Sequence, residues 1–221
     1  AVLHTAEALK RNGAKPVYVE SNNRGVIQAE QVADAITDNT AMVSLMHVNN
    51  EIGSINPLKE ISDICKEHEI PFHSDTVQSV GKIPVDVDEL GLDFLSISGH
   101  KIHGPKGVGV LYMRHATPWL PWMHGGSQER RRRGGTLNVP GIIGLAKAME
   151  LAVDEMEEHR IHFVKLRKQL INGLDEKFGD HYQINDAGDD AVPHIINISF
   201  LDPGGNGLDG DMLLLNLDAE G

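Results

Sequence analysis

Short apolar runs alternate with helical periodicities along most of the chain. The runs at 41–46, 94–97 and 108–112, and a shorter one leading into Asp75, have the length of buried strands. Between them, Ala29, Val32, Ala33 and Ile36 recur at helical spacing, and so do Leu58, Ile61, Ile64, Cys65 and His68. Asn56 and Pro57 predict the start of that second helix, as a cap followed by a first-turn proline. Residues 1–9 read as a helix without a cap in front, and 16–19 as a strand. After Pro140, the series Ile142, Leu145, Ala146, Met149, Val153 and Met156 runs into Phe163, Leu166, Leu170 and Leu174, which predicts one long helix reaching Phe178. A strand at 195–200 and a helix at 210–217 follow. Strands alternating with helices predict an α/β fold, a mainly parallel sheet flanked by helices over 1–152. A bridging helix and the start of a small α+β domain are expected over 153–221.

The chemistry collects in two loops. The first is Ser98-Gly-His-Lys101, after the strand at 94–97. A lysine buried there is pushed towards the neutral amine, a nucleophile able to form a Schiff base with an aldehyde. Ser98, Gly99 and His100 add a hydroxyl, a close backbone approach and an imidazole, which suit a phosphate. The alternative is a glycine-rich hairpin with an exposed lysine. The second loop follows Asp75, where a strand ends. Alone, Asp75 reads as a turn or cap residue; beside a later lysine loop it supplies the acid that keeps a pyridine nitrogen protonated. In open α/β sheets both would meet at the carboxyl ends of parallel strands. His73 shares the strand face of Asp75. The pair suggests a metal site, but no His-Glu-x-x-His or paired-cysteine spacing supports it, so no metal is expected.

Composition narrows the class. The chain has 221 residues, 40% of them hydrophobic, which is enough for a substantial core. A formal charge of −12 disfavours nucleic acid, and the four arginines 130–133 beside Glu129 do not reverse that. No apolar stretch is long enough to span a bilayer. The one cysteine, Cys65, lies on an apolar helical stripe and is expected to be an inert core thiol, in keeping with a cytoplasmic protein.

Four segments then resemble, in order, the motifs of the cysteine desulfurases, members of the fold-type I, class V aminotransferase superfamily of pyridoxal-phosphate enzymes. They are His47-Val-Asn-Asn-Glu-Ile-Gly53, His73-Ser-Asp-Thr-Val-Gln-Ser-Val-Gly-Lys82, Ser98-Gly-His-Lys-Ile-His-Gly-Pro-Lys-Gly107 and Gly125-Gly-Ser-Gln-Glu-Arg-Arg-Arg-Arg-Gly-Gly-Thr136. The Asn-Asn-Glu-Ile-Gly form points to the branch serving iron–sulfur cluster assembly. The resemblance implies that pyridoxal 5'-phosphate is carried on Lys101, with Asp75 at the pyridine nitrogen and Asn50 and Gln78 at the ring oxygen. Without it, Asn49 and Asn50 read as turn residues. Ser98, Gly99 and His100 would hold the phosphate, helped by Thr136 of a neighbouring subunit, so a homodimer is implied. Gly134 stands where family members often carry a serine or alanine.

The implied reaction takes sulfur from L-cysteine, leaving L-alanine and an enzyme-bound persulfide for a sulfur-acceptor protein. The family's upstream phosphate loop and stacking histidine, and its downstream cysteine loop and substrate-binding arginine, have no counterpart here. The expectation is therefore an internal fragment, inactive alone. Selenocysteine lyase, an aminotransferase of the same class and a non-catalytic scaffold are the alternatives.

Overall fold

The computed structural model describes residues 2–220, in two compact units: 2–20, 27–47 and 56–156 form the first, and 21–26, 48–55 and 157–220 the second. In the first unit α1 (Val2–Leu9) precedes α2 (Ala29–Ala35), β1 (Val43–Met46), α3 (Leu58–Glu67), β2 (Phe72–Asp75), β3 (Phe94–Ser98) and β4 (Gly109–Met113). A short turn with left-handed backbone, α4 (Gln128–Arg131), and the helix α5 (Val139–Asp154) complete it. The strands form one sheet in the order β1-β2-β3-β4. The first three are parallel and β4 returns antiparallel from β3. The expected mainly parallel sheet is present.

Its core is built from the stripes read in the sequence. Leu58, Ile61 and Cys65 of α3 are buried with Phe72, Leu92, Leu95 and Ile97 in one cluster that also takes in Ile27 and Val32. Each fully buried leucine, isoleucine or phenylalanine contributes about 1.5–3 kcal/mol by leaving water. Helix α5 closes on the loops beyond the strands through small residues on one face. A Cβ at Gly81 would lie 2.6 Å from the Ala152 methyl, one at Gly104 would lie 3.2 Å from that of Ala148, and one at Gly144 would lie 2.7 Å from Pro105. Helix and loop backbones therefore approach closely only because these positions carry almost no side chain.

Several elements differ from the sequence expectation. Residues 16–19 are extended but join no ladder among the described residues, and Val17 and Tyr18 face solvent, since an apolar segment needs a neighbouring strand to pair with. Asn56 does not cap α3. Its buried amide instead accepts from the Ile27 N–H (2.9 Å) and donates to the Met46 carbonyl (2.8 Å), and two buried backbone groups gain partners. The long helix after Pro140 is two, α5 and α6 (Met156–Phe178), separated at Glu155, where ψ is 1°. Each apolar series has its own helix.

In the second unit α6 is followed by the antiparallel pair β5 (Tyr182–Ile184) and β6 (Ile198–Phe200), then by α7 (Gly210–Glu220). Arg167 of α6 pairs with Asp186 and donates to the Ile195 carbonyl (3.1 Å). The segment 48–55 is tied to 190–192 by backbone bonds from Ile55 to Asp190 and from Val192 to Gly53.

Cys65 is 1% exposed, and burial, then the nearby Asp93 carboxylate, pushes its thiol up to about 11. At pH 8 only about one part in a thousand is then thiolate. Native protein should therefore react with a disulfide reagent at least about 100-fold more slowly than free cysteine, and at the free rate in denaturant. Fast reaction of the native thiol would contradict this packing.

Candidate active site

The sheet brings the two loops to its carboxyl end. β2 and β3 run parallel with Asp75 opposite Ser96, so Asp75 and Ser98 both end strands on the carboxyl side. Thr76 locks this register. Its N–H (3.1 Å) and its hydroxyl (2.9 Å) both donate to the Ser96 carbonyl, and Thr76 is fully buried. On the other side the His47 N–H donates to the Asp75 carbonyl at 3.0 Å. The half-buried Asp75 carboxylate accepts from the Val77 N–H at 3.1 Å, which turns the chain into the loop carrying Gln78.

Behind Asp75, on the same strand face, the His73 ring bridges three strands. Nδ1 meets the Ser44 hydroxyl at 2.7 Å and Nε2 the Ser96 hydroxyl at 2.9 Å. Burial lowers the pKa of this imidazole and Asp75 opposes the shift. His73 is thus held by hydroxyls on both nitrogens and is committed to the sheet. Among the described residues no cluster of histidine, cysteine, aspartate and glutamate fits a metal ion. His47 is buried as well, and desolvation lowers its pKa to about 4, so it is neutral near pH 7.

Beyond β3 the chain winds into a 3-10 turn, Gly99–Ile102, closed by His103 in the left-handed region (φ 62°). Gly99 fits closely here: a Cβ would lie 3.0 Å from the Val108 carbonyl oxygen and 3.1 Å from that of Pro105, so backbone would have to shift to admit one. Ile102 points into the core, while His100 and Lys101 face outward. Lys101 is exposed, so the expected burial of its amine within the chain is not present; the inward position of the turn belongs to Ile102. The Ser98 hydroxyl and His100 Nδ1 lie 2.9 Å apart.

Asp75 and Gln78, at and just beyond the carboxyl end of β2, and Ser98, Gly99, His100 and Lys101, at and just beyond that of β3, thus lie on the same end of the sheet. A hydroxyl, an imidazole, an amine and a carboxylate form the donor and acceptor set that a phosphorylated pyridine aldehyde requires, so the residues fit pyridoxal phosphate. Asn50 lies in the other unit, exposed, with its amide donating to Glu51 at 2.6 Å. Its neighbour Asn49 is a turn residue, accepting from the N–H groups of Glu51 and Ile52. Thr136 is exposed, in the stretch after Gly134 and Gly135. Just before it, Glu129, Arg130 and Arg131 all have positive φ. One contact has no sequence signal beyond a place in the second motif: the Lys82 ammonium donates to the Lys101 carbonyl at 3.0 Å. Spacing alone does not reveal a bond across 19 residues.

The sequence matches the family model described as Aminotransferase class-V over residues 1–216. It is 44% identical to the cysteine desulfurase IscS of Dictyoglomus turgidum over 100% of this chain and 55% of that protein. It is also 44% identical to the IscS of Methanosarcina thermophila, over 100% and 53%. The chain spans about half the length of the curated relatives it matches. Among solved structures, a NifS-like protein superposes with a TM-score of 0.91 at 40% identity, covering 100% of this chain and 59% of that one. SspA in complex with cysteine superposes at 0.78 with 33% identity, covering 100% and 58%. The architecture is that of the fold-type I pyridoxal-phosphate enzymes. With residues 1–216 of this chain matched by the family's model, and strand-end loops whose residues suit that cofactor, the chain belongs to the class V aminotransferase family.

Proposed function

We propose that this chain carries the cofactor-binding core of a cysteine desulfurase, and that the whole protein takes sulfur from L-cysteine, leaving L-alanine and a persulfide. The observation that carries the reading is the meeting of Asp75 and the Lys101 turn at adjacent parallel strand ends. Bound pyridoxal phosphate would supply an aldehyde carbon and an electron-withdrawing ring. Lys101 Nζ would hold that carbon and, once released by substrate, take the proton from the substrate Cα. The Asp75 carboxylate would keep a proton on the ring nitrogen. Gln78 would donate to the ring oxygen, and Ser98 and His100 to the phosphate. The substrate reading draws on the IscS relatives and on the cysteine held by SspA.

Cys65 is not the sulfur acceptor in this reading, since a thiol buried in the core and pushed up to about 11 has neither access nor charge. The persulfide would form on a thiolate other than Cys65 and pass to an acceptor protein. The working unit would be a homodimer in which Thr136 reaches the phosphate of the partner's site. Large apolar side chains in the exposed 119–143 stretch support such a contact, among them Leu120 (88% exposed), Trp122 (84%) and Ile143 (65%).

In the full-length protein Lys101→Ala should abolish the yellow colour with pyridoxal phosphate and lower sulfide release from L-cysteine by about 10²–10⁴-fold. Retained turnover would remove Lys101 from the reaction. Asp75→Asn should leave the borohydride-trapped cofactor bond at Lys101 intact. Because it removes one charge-assisted contact worth about 1.5–3 kcal/mol, it should slow turnover roughly 10- to 100-fold. Unchanged turnover would sink the role given to Asp75.

A further inference from the structure

We propose that Lys82 is a positioning residue for Lys101, a brace that ties the loop after Asp75 to the turn carrying the lysine. The Lys101 carbonyl lies at the C-terminal end of a single 3-10 turn, where carbonyls lack helical partners. It accepts from Lys82 Nζ at 3.0 Å, in the manner of a lysine capping a helix end. The turn has few other ties: Gly99 N–H to the Val108 carbonyl (3.0 Å), Gly104 N–H to the Gly99 carbonyl (2.9 Å), and His103 N–H to the same Gly99 oxygen.

The brace is itself anchored. Lys82 N–H and Ile83 N–H both donate to the Ser79 carbonyl at 3.0 Å, and the buried Ser79 hydroxyl donates to the Thr76 carbonyl at 3.1 Å. Gly81, in the left-handed region at φ 73°, sits against Ala152 of α5. The ammonium is half-buried, and its pKa is lowered first by burial and then by the neighbouring Lys101. A partly desolvated cation held against a carbonyl gives a stiffer tie than a solvated one. One bond thus joins the segment bearing Asp75 and Gln78 to the segment bearing Lys101.

This inference rests on the proposed role of Lys101, and two readouts separate the two claims. Lys82→Met keeps most of the stem and deletes the donor, while Lys82→Arg restores a donor. In cofactor-free full-length protein, amide hydrogen exchange over 99–104 should be about 10-fold faster in Lys82→Met than in wild type. It should return to within about threefold of wild type in Lys82→Arg, with the thermal midpoints of all three alike. The rate at which added pyridoxal phosphate is trapped on Lys101 by borohydride, read by mass spectrometry, should fall in Lys82→Met and recover in Lys82→Arg. Exchange and trapping in Lys82→Met within twofold of wild type would overturn the brace. If the Met variant does not fold, Lys82→Gln, which shortens the reach of the donor, takes its place with the same expected outcomes. Faster exchange combined with no trapping on Lys101 in wild type would uphold the brace and instead defeat the proposed role of Lys101.

Discussion

The Ser96 carbonyl, bonded twice by Thr76, is the contact on which the candidate site depends. A parallel pair has no hairpin to set its register, so something at the strand ends must set it. A slip of one residue would turn Asp75 to the face on which Leu95 and Ile97 of β3 are buried, where an unpaired carboxylate is costly. Thr76 prevents this from the β2 side, and the His73 ring, bonded to Ser44 and Ser96, prevents it across all three parallel strands.

With the register fixed, placing the lysine turn is a matter of packing. Gly144, Ala148 and Ala152 lie at four-residue spacing on α5 and meet Pro105, Gly104 and Gly81 in turn. The helix therefore presses on both loops at once. A larger side chain at any of these contacts would push a loop away from the carboxyl end of the sheet. Small residues at the rim let backbone, which has defined geometry, carry the side chains of the candidate site.

The fold was legible where periodicity and burial coincide. The apolar stripe of α3 and the strand run at 94–97 lie where the pattern puts them, the run at 41–46 yields a half-buried strand over 43–46 only, and Cys65 is as buried as its stripe implies. The pattern misled at 16–19, where an apolar look without a neighbouring strand gives only extended chain, and at Asn56, whose residue type suits a cap but whose amide is used by two distant backbone groups. The apolar runs put Asp75 and the Ser98 loop at strand ends, and β2 and β3 end there. The Lys82 contact and the inward turn of Ile102 were not visible, because both depend on how a short 3-10 turn winds, which no periodicity encodes.

The central claim is that the parallel β2–β3 pair delivers Asp75 and Lys101 to one cofactor. A crystal structure of the full-length protein grown with pyridoxal phosphate tests it most directly. Continuous density is expected from Lys101 Nζ to the aldehyde carbon, with the Asp75 carboxylate within hydrogen-bond distance of the ring nitrogen. Cofactor carried on any other residue, or a ring nitrogen facing away from Asp75, would contradict it.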